Sequence, residues 1–246
     1  MNQTQETSIH PTAFVGPGVE VGVGVSIGPH AVLLGPTVIG DGVWIGPAAS
    51  IGAPPEITSL RHNRAWEGDL DHAGVVVEER AVIRELVVVH QGSTRPTIVG
   101  SGSWLLNHSY LAHDVQLGAD VVISAGVSIG GGCTIREAAN IGLNASVHQF
   151  RSIGARAMVG MGSTVTRDVP PFAKVFGVPL RLHGVNRIGM ERAGIDPATI
   201  AVIERSYGMG SVDLPIDDSL HAVVAAEFAW WESIEHRRPV SLGDEA

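Results

Sequence analysis

The chain has 246 residues, enough for one large domain and a small second one. Its formal net charge of −9 argues against a general nucleic-acid-binding protein, and its one cysteine, Cys133, excludes an internal disulfide and a cysteine-based zinc cluster. The N-terminus has no signal-peptide pattern and no apolar run is long enough to cross a bilayer, so we expect a cytoplasmic protein without a membrane span.

A six-residue repeat of aliphatic side chains begins near the N-terminus. Its first run comprises Ile9, Val15, Val21, Ile27, Leu33, Ile39, Ile45 and Ile51. A short second run comprises Val77, Ile83 and Val89, and the longest comprises Val99, Leu105, Leu111, Leu117, Ile123, Ile129, Ile135, Ile141, Val147, Ile153, Val159 and Val165. This period fits neither an α-helix nor an alternating strand of a sandwich, and it predicts a β-solenoid in which three short strands form one coil.

Two segments interrupt the repeat. Residues 53–76 have lost the phase and contain Arg61, His62, Arg64, Trp66 and four carboxylates. The shorter excursion at 91–98 lengthens the spacing from Val89 to Val99 to ten residues, four beyond one hexad. Loops that leave a rigid solenoid often contact substrates. The repeat ends at the paired prolines 170–171, which cannot donate to a further ladder. We therefore predict a β-solenoid domain over residues 1–172, with a loop at 53–76.

The remaining residues, 173–246, are predicted to form a small C-terminal α-helical domain. A short helix is expected over 186–193, ended by Gly194. The Asp196-Pro197 pair is typical of an N-cap followed by proline in the first turn, and it predicts a second helix extending towards Tyr207. A third helix is expected over about 218–236, with an apolar face that packs on the solenoid or on a neighbouring chain.

Histidines gather on one predicted face of the solenoid. Three hexads make a coil, so residues 18 apart stack, and His113 and His148 lie on one face. His90 joins them if the four extra residues of 91–98 form a bulge, and His108 precedes His113 by five residues. An imidazole followed by a carboxylate, as in His113-Asp114, suits a general base with an orienting partner.

A run of three glycines, residues 130–132, follows one coil later on the same face. Glycine leaves backbone N–H groups uncovered by side chains. Such groups can form an oxyanion hole for the tetrahedral intermediate of acyl transfer. The pattern predicts an acyltransferase centre built from the His113 turn and this glycine turn.

Several stretches resemble the LpxA-like UDP-N-acetylglucosamine O-acyltransferase family of hexapeptide-repeat enzymes. They are IHPTAFV at 9–15, IRELVVVHQG at 83–92, YLAHD at 110–114, ASVHQF at 145–150, DVPPF at 168–172 and HGVNRIGMERAGI at 183–195. The resemblance implies a left-handed parallel β-helix, a homotrimer, and a role in lipid A-like biosynthesis. It also implies an acyl carrier protein or coenzyme A thioester as co-substrate, no further cofactor, and a sugar-nucleotide acceptor such as UDP-N-acetylglucosamine.

The resemblance also implies roles for individual residues. The base is His113, and the oxyanion contact is Gly131. The residues expected to contact substrates are His90, His148, Gln149, Met161, Asn186 and Arg192. Met161 would limit the length of the acyl chain, and Asn186 and Arg192 would contact the nucleotide. The chain departs from the family at Tyr110, Gly132 and Ala193, where histidine, histidine and arginine are expected, and in its longer loop 53–76, so the acceptor contacts are altered.

Local charge favours an acidic donor. Residues 151–192 contain seven arginine or lysine residues but only Asp168 and Glu191, an excess of +5 in an acidic chain. Such a surface suits acyl carrier protein or the phosphates of coenzyme A.

Three alternatives remain at this stage. An N-acyltransferase acting on an amino sugar nucleotide would use the same base. A zinc enzyme resembling the γ-carbonic anhydrases would use His90, His108 and His113 as metal ligands, although that family's Gln-Asp pair is replaced by Arg84-Glu85. A non-catalytic scaffold would need none of the His113, Gly131 and Gln149 arrangement.

Overall fold

A computed structural model describes residues 6–60, 62, 65–67, 72–214 and 221–241. Several predicted features lie outside this range: Arg61, Arg64, Asp69 and Asp71 of the loop, and residues 218–220 of the third helix. A short 3-10 helix, Ala65–Glu67, lies within the loop.

Three sheets of short strands form a parallel β-solenoid, as the six-residue period predicts. The first sheet, in spatial order, contains β1 (Ser8–Ile9), β4 (Ser26–Ile27), β7 (Trp44–Ile45), β10 (Val82–Ile83), β13 (Trp104–Leu105), β16 (Val122–Ile123), β19 (Asn140–Ile141), β22 (Met158–Val159), β24 (Ala173–Phe176) and β25 (Arg181–Val185). The second contains β2 (Phe14–Val15), β5 (Val32–Leu33), β8 (Ser50–Ala53), β11 (Val88–His90), β14 (Tyr110–Leu111), β17 (Ser128–Ile129), β20 (Ser146–Val147) and β23 (Thr164–Val165). The third contains β3 (Val19–Val21), β6 (Thr37–Ile39), β9 (Val75–Val77), β12 (Thr97–Val99), β15 (Gln116–Leu117), β18 (Thr134–Ile135) and β21 (Ser152–Ile153).

The aliphatic residue of each hexad points into the solenoid. Leu111 pairs in register with Ile129, and Ile129 with Val147, so the side chains stack from coil to coil. Leu111 and Ile129 are fully buried. Burial of one such side chain contributes roughly 1.5–3 kcal/mol, and the resulting column is a continuous core.

The interruption at 91–98 does not shift the register of the second sheet. Val89 of β11 pairs with Leu111 of β14 across it. The chain turns tightly at Gly92, where any Cβ atom would collide with the Arg95 carbonyl oxygen. The prediction that β11, β14, β17 and β20 share one face is therefore confirmed.

The prediction that the chain turns helical after the paired prolines is wrong for residues 173–185. β24 extends the first sheet parallel to β22, and β25 pairs antiparallel to β24. The prolines occupy a turn rather than a strand, so no ladder hydrogen bond is lost and the sheet can continue. The boundary of a C-terminal domain at residue 173 stays a prediction.

Three helices follow: α1 (Arg187–Arg192), α2 (Pro197–Gly208) and α3 (Ala222–Ser233). The predicted N-cap of α2 is present, since the Asp196 side chain accepts a hydrogen bond from the first turn of that helix. Asn186, predicted as the first residue of the first helix, instead caps α1 in the same way. Phe228 of α3 packs against Phe172 at the end of the solenoid, with ring centres 6.3 Å apart. No helix in the described ranges is both long and apolar enough to cross a membrane.

Candidate active site

His113 and Asp114 form a hydrogen-bonded pair in the turn that follows β14. The His113 Nδ1 atom lies 2.6 Å from the Asp114 Oδ2 atom. An ionised carboxylate can only accept, so Nδ1 carries the proton and, in the neutral ring, Nε2 is left as an acceptor. The turn therefore holds a histidine in the tautomer that a general base requires.

The excursion at 91–98 wraps around the Asp114 carboxylate. The backbone N–H groups of Ser93, Thr94 and Arg95 all donate to Oδ1, at 2.8–3.0 Å, and the Ser93 hydroxyl donates to Oδ2 at 2.6 Å. Burial alone would raise the pKa of Asp114, but the hydrogen bonds from Ser93, Arg95 and His113 together hold it well below its ordinary value. Asp114 is therefore a fixed, ionised partner for His113.

Arg95 also ties this turn to the next coil. Its guanidinium donates to the Asp114 carbonyl oxygen at 3.1 Å and reaches the Gly132 carbonyl oxygen at 3.5 Å. The extra length of 91–98 is visible in the sequence, but the support that residues 93–95 give to the Asp114 carboxylate was not predicted. Backbone N–H groups provide most of that support, and only the unusual length of the segment signals it.

Among the three consecutive glycines, Gly131 has the free N–H group. The Gly130 N–H donates to the Val147 carbonyl and the Gly132 N–H to the His113 carbonyl, both at 2.9 Å. Within the described part of the chain, the Gly131 N–H donates to no acceptor. A Cβ atom on Gly131 would lie 2.5 Å from His113 Nε2, so the glycine is needed for the ring to sit here. A free donor thus lies next to the candidate base.

These groups open onto one cavity of about 340 Å³. It is lined by Glu56, Tyr110, Ala112, His113, Gly130, Gly131, His148 and Gln149. The structure thus brings His113, Gly131, His148 and Gln149 together, as the face assignment predicts. An acceptor for protons, a free backbone donor and exposed polar side chains in one cavity can support acyl transfer.

His90 lies behind this cavity rather than in its lining. Its Nδ1 atom faces the Pro54 carbonyl oxygen at 2.6 Å, and its side chain is 9% exposed. The Tyr110 ring covers it edge-on at 5.5 Å, and the Tyr110 hydroxyl donates to Glu56 Oε2 at 2.6 Å. Glu56 belongs to the predicted loop, but its position beside His113 was not foreseen.

His108 is separated from this group. It lies exposed in the turn before β14, whereas His113 lies in the turn after that strand. No three histidine, cysteine or carboxylate side chains cluster as metal ligands in the ranges that the structure covers. Within one chain, the histidines His90, His108 and His113 of the zinc alternative therefore do not form a joint site.

Asn186 and Arg192 line a second cavity of about 520 Å³, together with Arg156, Met158 and Ile188. The Asn186 amide is already engaged, since its nitrogen donates to the Arg156 carbonyl at 2.8 Å and its oxygen caps α1. The lining of this cavity shares no residue with that of the His113 cavity. Within one chain the two parts of the predicted site are thus apart.

Met161 is 73% exposed in the turn after β22 and lines neither cavity. Its side chain is therefore available to a ligand or a neighbouring chain rather than committed to the core. Its predicted role in acyl-chain length stays a prediction.

The basic excess of residues 151–192 is smaller than the sequence count indicates. Arg156 pairs with Glu137 at 2.8 Å and Arg187 with Glu204 at 2.6 Å, and both carboxylates lie outside the counted window. Solenoid coils bring residues 19 apart into contact, as for Arg156 and Glu137, so a linear count overlooks such partners. An acidic donor therefore has fewer unpaired cations to meet here than expected.

Comparison with known proteins assigns this arrangement to a family. Residues 96–131 match the family model for bacterial transferase hexapeptide repeats, and residues 168–231 match that for UDP-N-acetylglucosamine O-acyltransferase, domain 2. Among solved structures, a UDP-N-acetylglucosamine acyltransferase from Francisella novicida superposes with a TM-score of 0.72 at 26% identity, covering 98% of this chain and 91% of that one. The enzyme from Campylobacter jejuni, with a TM-score of 0.78 at 20% identity over 96% of this chain and 100% of that one, shares the fold.

Curated relatives are closer in sequence. An acyl-(acyl-carrier-protein)–UDP-N-acetylglucosamine O-acyltransferase from Agrobacterium fabrum is 37% identical over 198 residues, which are 79% of this chain and 70% of the relative. The enzyme of the same name from Rhizobium johnstonii is 35% identical over 210 residues, 82% of this chain and 74% of the relative. The chain is an acyltransferase that belongs to the acyl-(acyl-carrier-protein)–UDP-N-acetylglucosamine O-acyltransferase family.

Proposed function

We propose that this enzyme transfers an acyl chain from the thioester of acyl carrier protein to a hydroxyl group of UDP-N-acetylglucosamine. The names of the relatives support these two substrates. The observation that carries the mechanism is the His113-Asp114 pair directly beside the free N–H of Gly131, in one cavity with His148 and Gln149.

His113 acts as the general base in this proposal. As the acceptor oxygen bonds to the thioester carbonyl carbon, Nε2 removes the hydroxyl proton, and Asp114 stabilises the imidazolium that forms. The Gly131 N–H donates to the oxyanion of the tetrahedral intermediate. The carbon–sulfur bond then breaks, the carbonyl reforms, and His113 returns its proton to the departing thiolate.

The substrate-contact residues divide between the two cavities. His148 and Gln149 face the reacting groups beside His113, with His90 behind them. Asn186 and Arg192 contact the nucleotide, where an arginine suits its phosphates. No cofactor takes part, and coenzyme A is the alternative thioester carrier.

A homotrimer joins the two halves of the site. The His113 cavity belongs to the second sheet, whereas the Asn186 cavity lies against β16, β19 and β22 of the first sheet. We infer that a neighbouring chain supplies one of the two cavities to a substrate that contacts both. Light scattering at micromolar concentration is expected to give three times the chain mass, and a monomer mass would contradict this assembly.

Product analysis tests the proposal. Purified protein is offered acyl-acyl carrier protein or acyl-coenzyme A with UDP-N-acetylglucosamine, with its amino-sugar analogue, or with no acceptor, and the products are identified by mass spectrometry. We expect an ester on UDP-N-acetylglucosamine from the carrier-protein donor. An amide on the amino sugar as the sole product would replace this proposal by N-acylation.

A further inference from the structure

A third cavity shares part of its lining with the cavity of His113. It measures about 400 Å³, and His148 and Gln149 line both. The C-terminal segment that follows α3, residues 234–241, contributes Ile234, Glu235, His236 and Arg238 to its lining. The turn that carries Gln149 therefore faces the reaction centre and also a space bounded by the C-terminal segment.

Asp168 joins the C-terminal segment to the solenoid. Its side chain is almost fully buried. Oδ1 accepts a hydrogen bond from the Ser152 N–H at 2.9 Å, and Oδ2 accepts one from the Arg238 N–H at 2.6 Å. Two backbone hydrogen bonds flank this contact, from the Asp168 N–H to the Arg238 carbonyl at 2.8 Å and from the Val240 N–H to the Asp168 carbonyl at 2.9 Å. One carboxylate thus ties the C-terminal segment to the start of β21.

Arg151 extends this link to the Gln149 turn. Its guanidinium lies between two acceptors, with Nη1 3.3 Å from Asp168 Oδ2 and Nε 3.4 Å from the Gln149 carbonyl oxygen. The planar guanidinium holds its donors in a fixed arrangement, so it sets the distance between the two acceptors. The same turn also contacts the glycine turn, since the Phe150 N–H donates to the Gly131 carbonyl at 2.9 Å. Movement of Asp168 would therefore move groups in the reaction cavity.

We propose that the docked C-terminal segment positions Gln149 for acyl transfer, and that Asp168 is the positioning residue through which it acts. The inference rests on the proposed function, because that proposal gives Gln149 a contact with the reacting groups. Asp168 does not line the cavity of His113, so it acts through the Gln149 turn and not on the substrates. Misplacing a reacting group by about 1 Å can cost roughly 10²-fold in rate, so this support matters for turnover.

Asp168→Asn tests the inference. Asparagine has the same size, but its NH₂ group would face one of the two backbone N–H donors and leave that donor unpaired. We expect kcat for transfer to UDP-N-acetylglucosamine to fall about 5- to 50-fold. A double-mutant cycle with Gln149→Ala shows whether the effect passes through Gln149. Once that side chain is removed, Asp168→Asn should change kcat by less than about twofold.

Glu227→Gln is the matched control. Glu227 of α3 is also a buried carboxylate that joins the C-terminal region to the solenoid, through its pair with Arg136 at 2.7 Å. It lines none of the three cavities. Both variants should lower the melting temperature, because each disrupts a buried polar contact, but only Asp168→Asn should lower kcat. If Asp168→Asn does not fold, Arg151→Met takes its place in the cycle, since it keeps both backbone hydrogen bonds of Asp168.

Arg151→Met should lower kcat by about 3- to 10-fold, again without further effect in the Gln149→Ala background. Three results would overturn the positioning role and leave the proposed function standing. They are a kcat within about twofold of wild type, the same loss with and without the Gln149 side chain, and an equal loss in Glu227→Gln. A wild type without transfer to UDP-N-acetylglucosamine would overturn both proposals.

Discussion

The turn that carries His113 and the segment that carries Glu56 line the same cavity, yet they are held in different ways. Asp114 behind His113 accepts hydrogen bonds from backbone and side-chain groups of Ser93 and Thr94 and lies between stacked coils. Glu56 has one side-chain hydrogen bond, from Tyr110, and most of its surface is exposed. The carboxylate beside His113 is thus fixed by the coil ladder, whereas the Glu56 side chain is held by a single contact outside it.

Asp114→Asn, which alters the rigidly held His113 turn, should have the largest effect on the catalytic rate. Asparagine tolerates the left-handed backbone at this position, where φ is 62°. Its oxygen can accept from the 93–95 backbone, which turns its NH₂ group towards His113 and leaves the proton on Nε2. We expect kcat to fall about 10²- to 10⁴-fold through this wrong tautomer. Asp120→Asn, at a turn with φ of 56°, is the control and should remain active.

The same substitution changes the pH dependence of stability. The pKa of Asp114 is lowered in the folded chain, so its ionisation adds to the free energy of unfolding at any pH above the ordinary aspartate pKa of about 4. This contribution is lost as the pH falls from there towards the pKa of the folded state. Urea unfolding between pH 7 and pH 3 should show a steeper acid loss for wild type than for Asp114→Asn. Parallel profiles would contradict the depressed pKa.

Gly131→Ala should have an intermediate effect. The backbone at Gly131 is outside the left-handed region, so alanine causes no backbone strain there. The added methyl group would instead collide with the His113 ring, because it would lie 2.5 Å from Nε2. Displacing a reacting group by about 1 Å can cost roughly 10²-fold, and we expect a loss in kcat of about that size. Gly208→Ala, whose methyl group would meet no atom within 4 Å beyond its chain neighbours and the backbone of its own helix, is the control. Full activity of Gly131→Ala would show that the close contact between Gly131 and the His113 ring is not needed for turnover.

Met161→Gly should have the smallest effect on rate and change only the product. Met161 is 73% exposed, so its removal leaves the core intact, and any acyl chain that ends against it gains room. We expect a shift towards longer acyl chains in a competition among carrier-protein donors, read by mass spectrometry. Met209→Gly, which removes a side chain of equal exposure, should keep the wild-type profile. An unchanged profile in both variants excludes Met161 from that role.

Much of the fold can be predicted from the sequence because the six-residue repeat determines where the strands and turns of the solenoid lie. The phase of Val89 and Leu111 predicts the face that carries His113, and the sheet register confirms it. The helix cap at Asp196 depends on local side-chain chemistry and was also predicted. Both signals are local or strictly repeated, so they need no knowledge of tertiary contacts.

The features that the sequence did not predict are contacts between distant segments. β24 was missed because paired prolines were assigned to the end of the sheet rather than to a turn within it. The support of Asp114 by residues 93–95 depends on backbone N–H directions, which side-chain identities do not specify. Glu56 was counted among loop carboxylates, and the anchoring of Pro54 together with the hydrogen bond from Tyr110 places it beside His113.

The central claim is that His113 is the general base, and paired histidine substitutions test it most directly. His113→Ala and His108→Ala each remove one exposed or partly exposed histidine, from the two ends of β14. Acyl transfer to UDP-N-acetylglucosamine is measured at saturating substrates, with melting temperature as the folding control. We predict that His113→Ala lowers kcat by at least about 10²-fold while His108→Ala stays near wild type. Near-full transfer by His113→Ala would contradict the account.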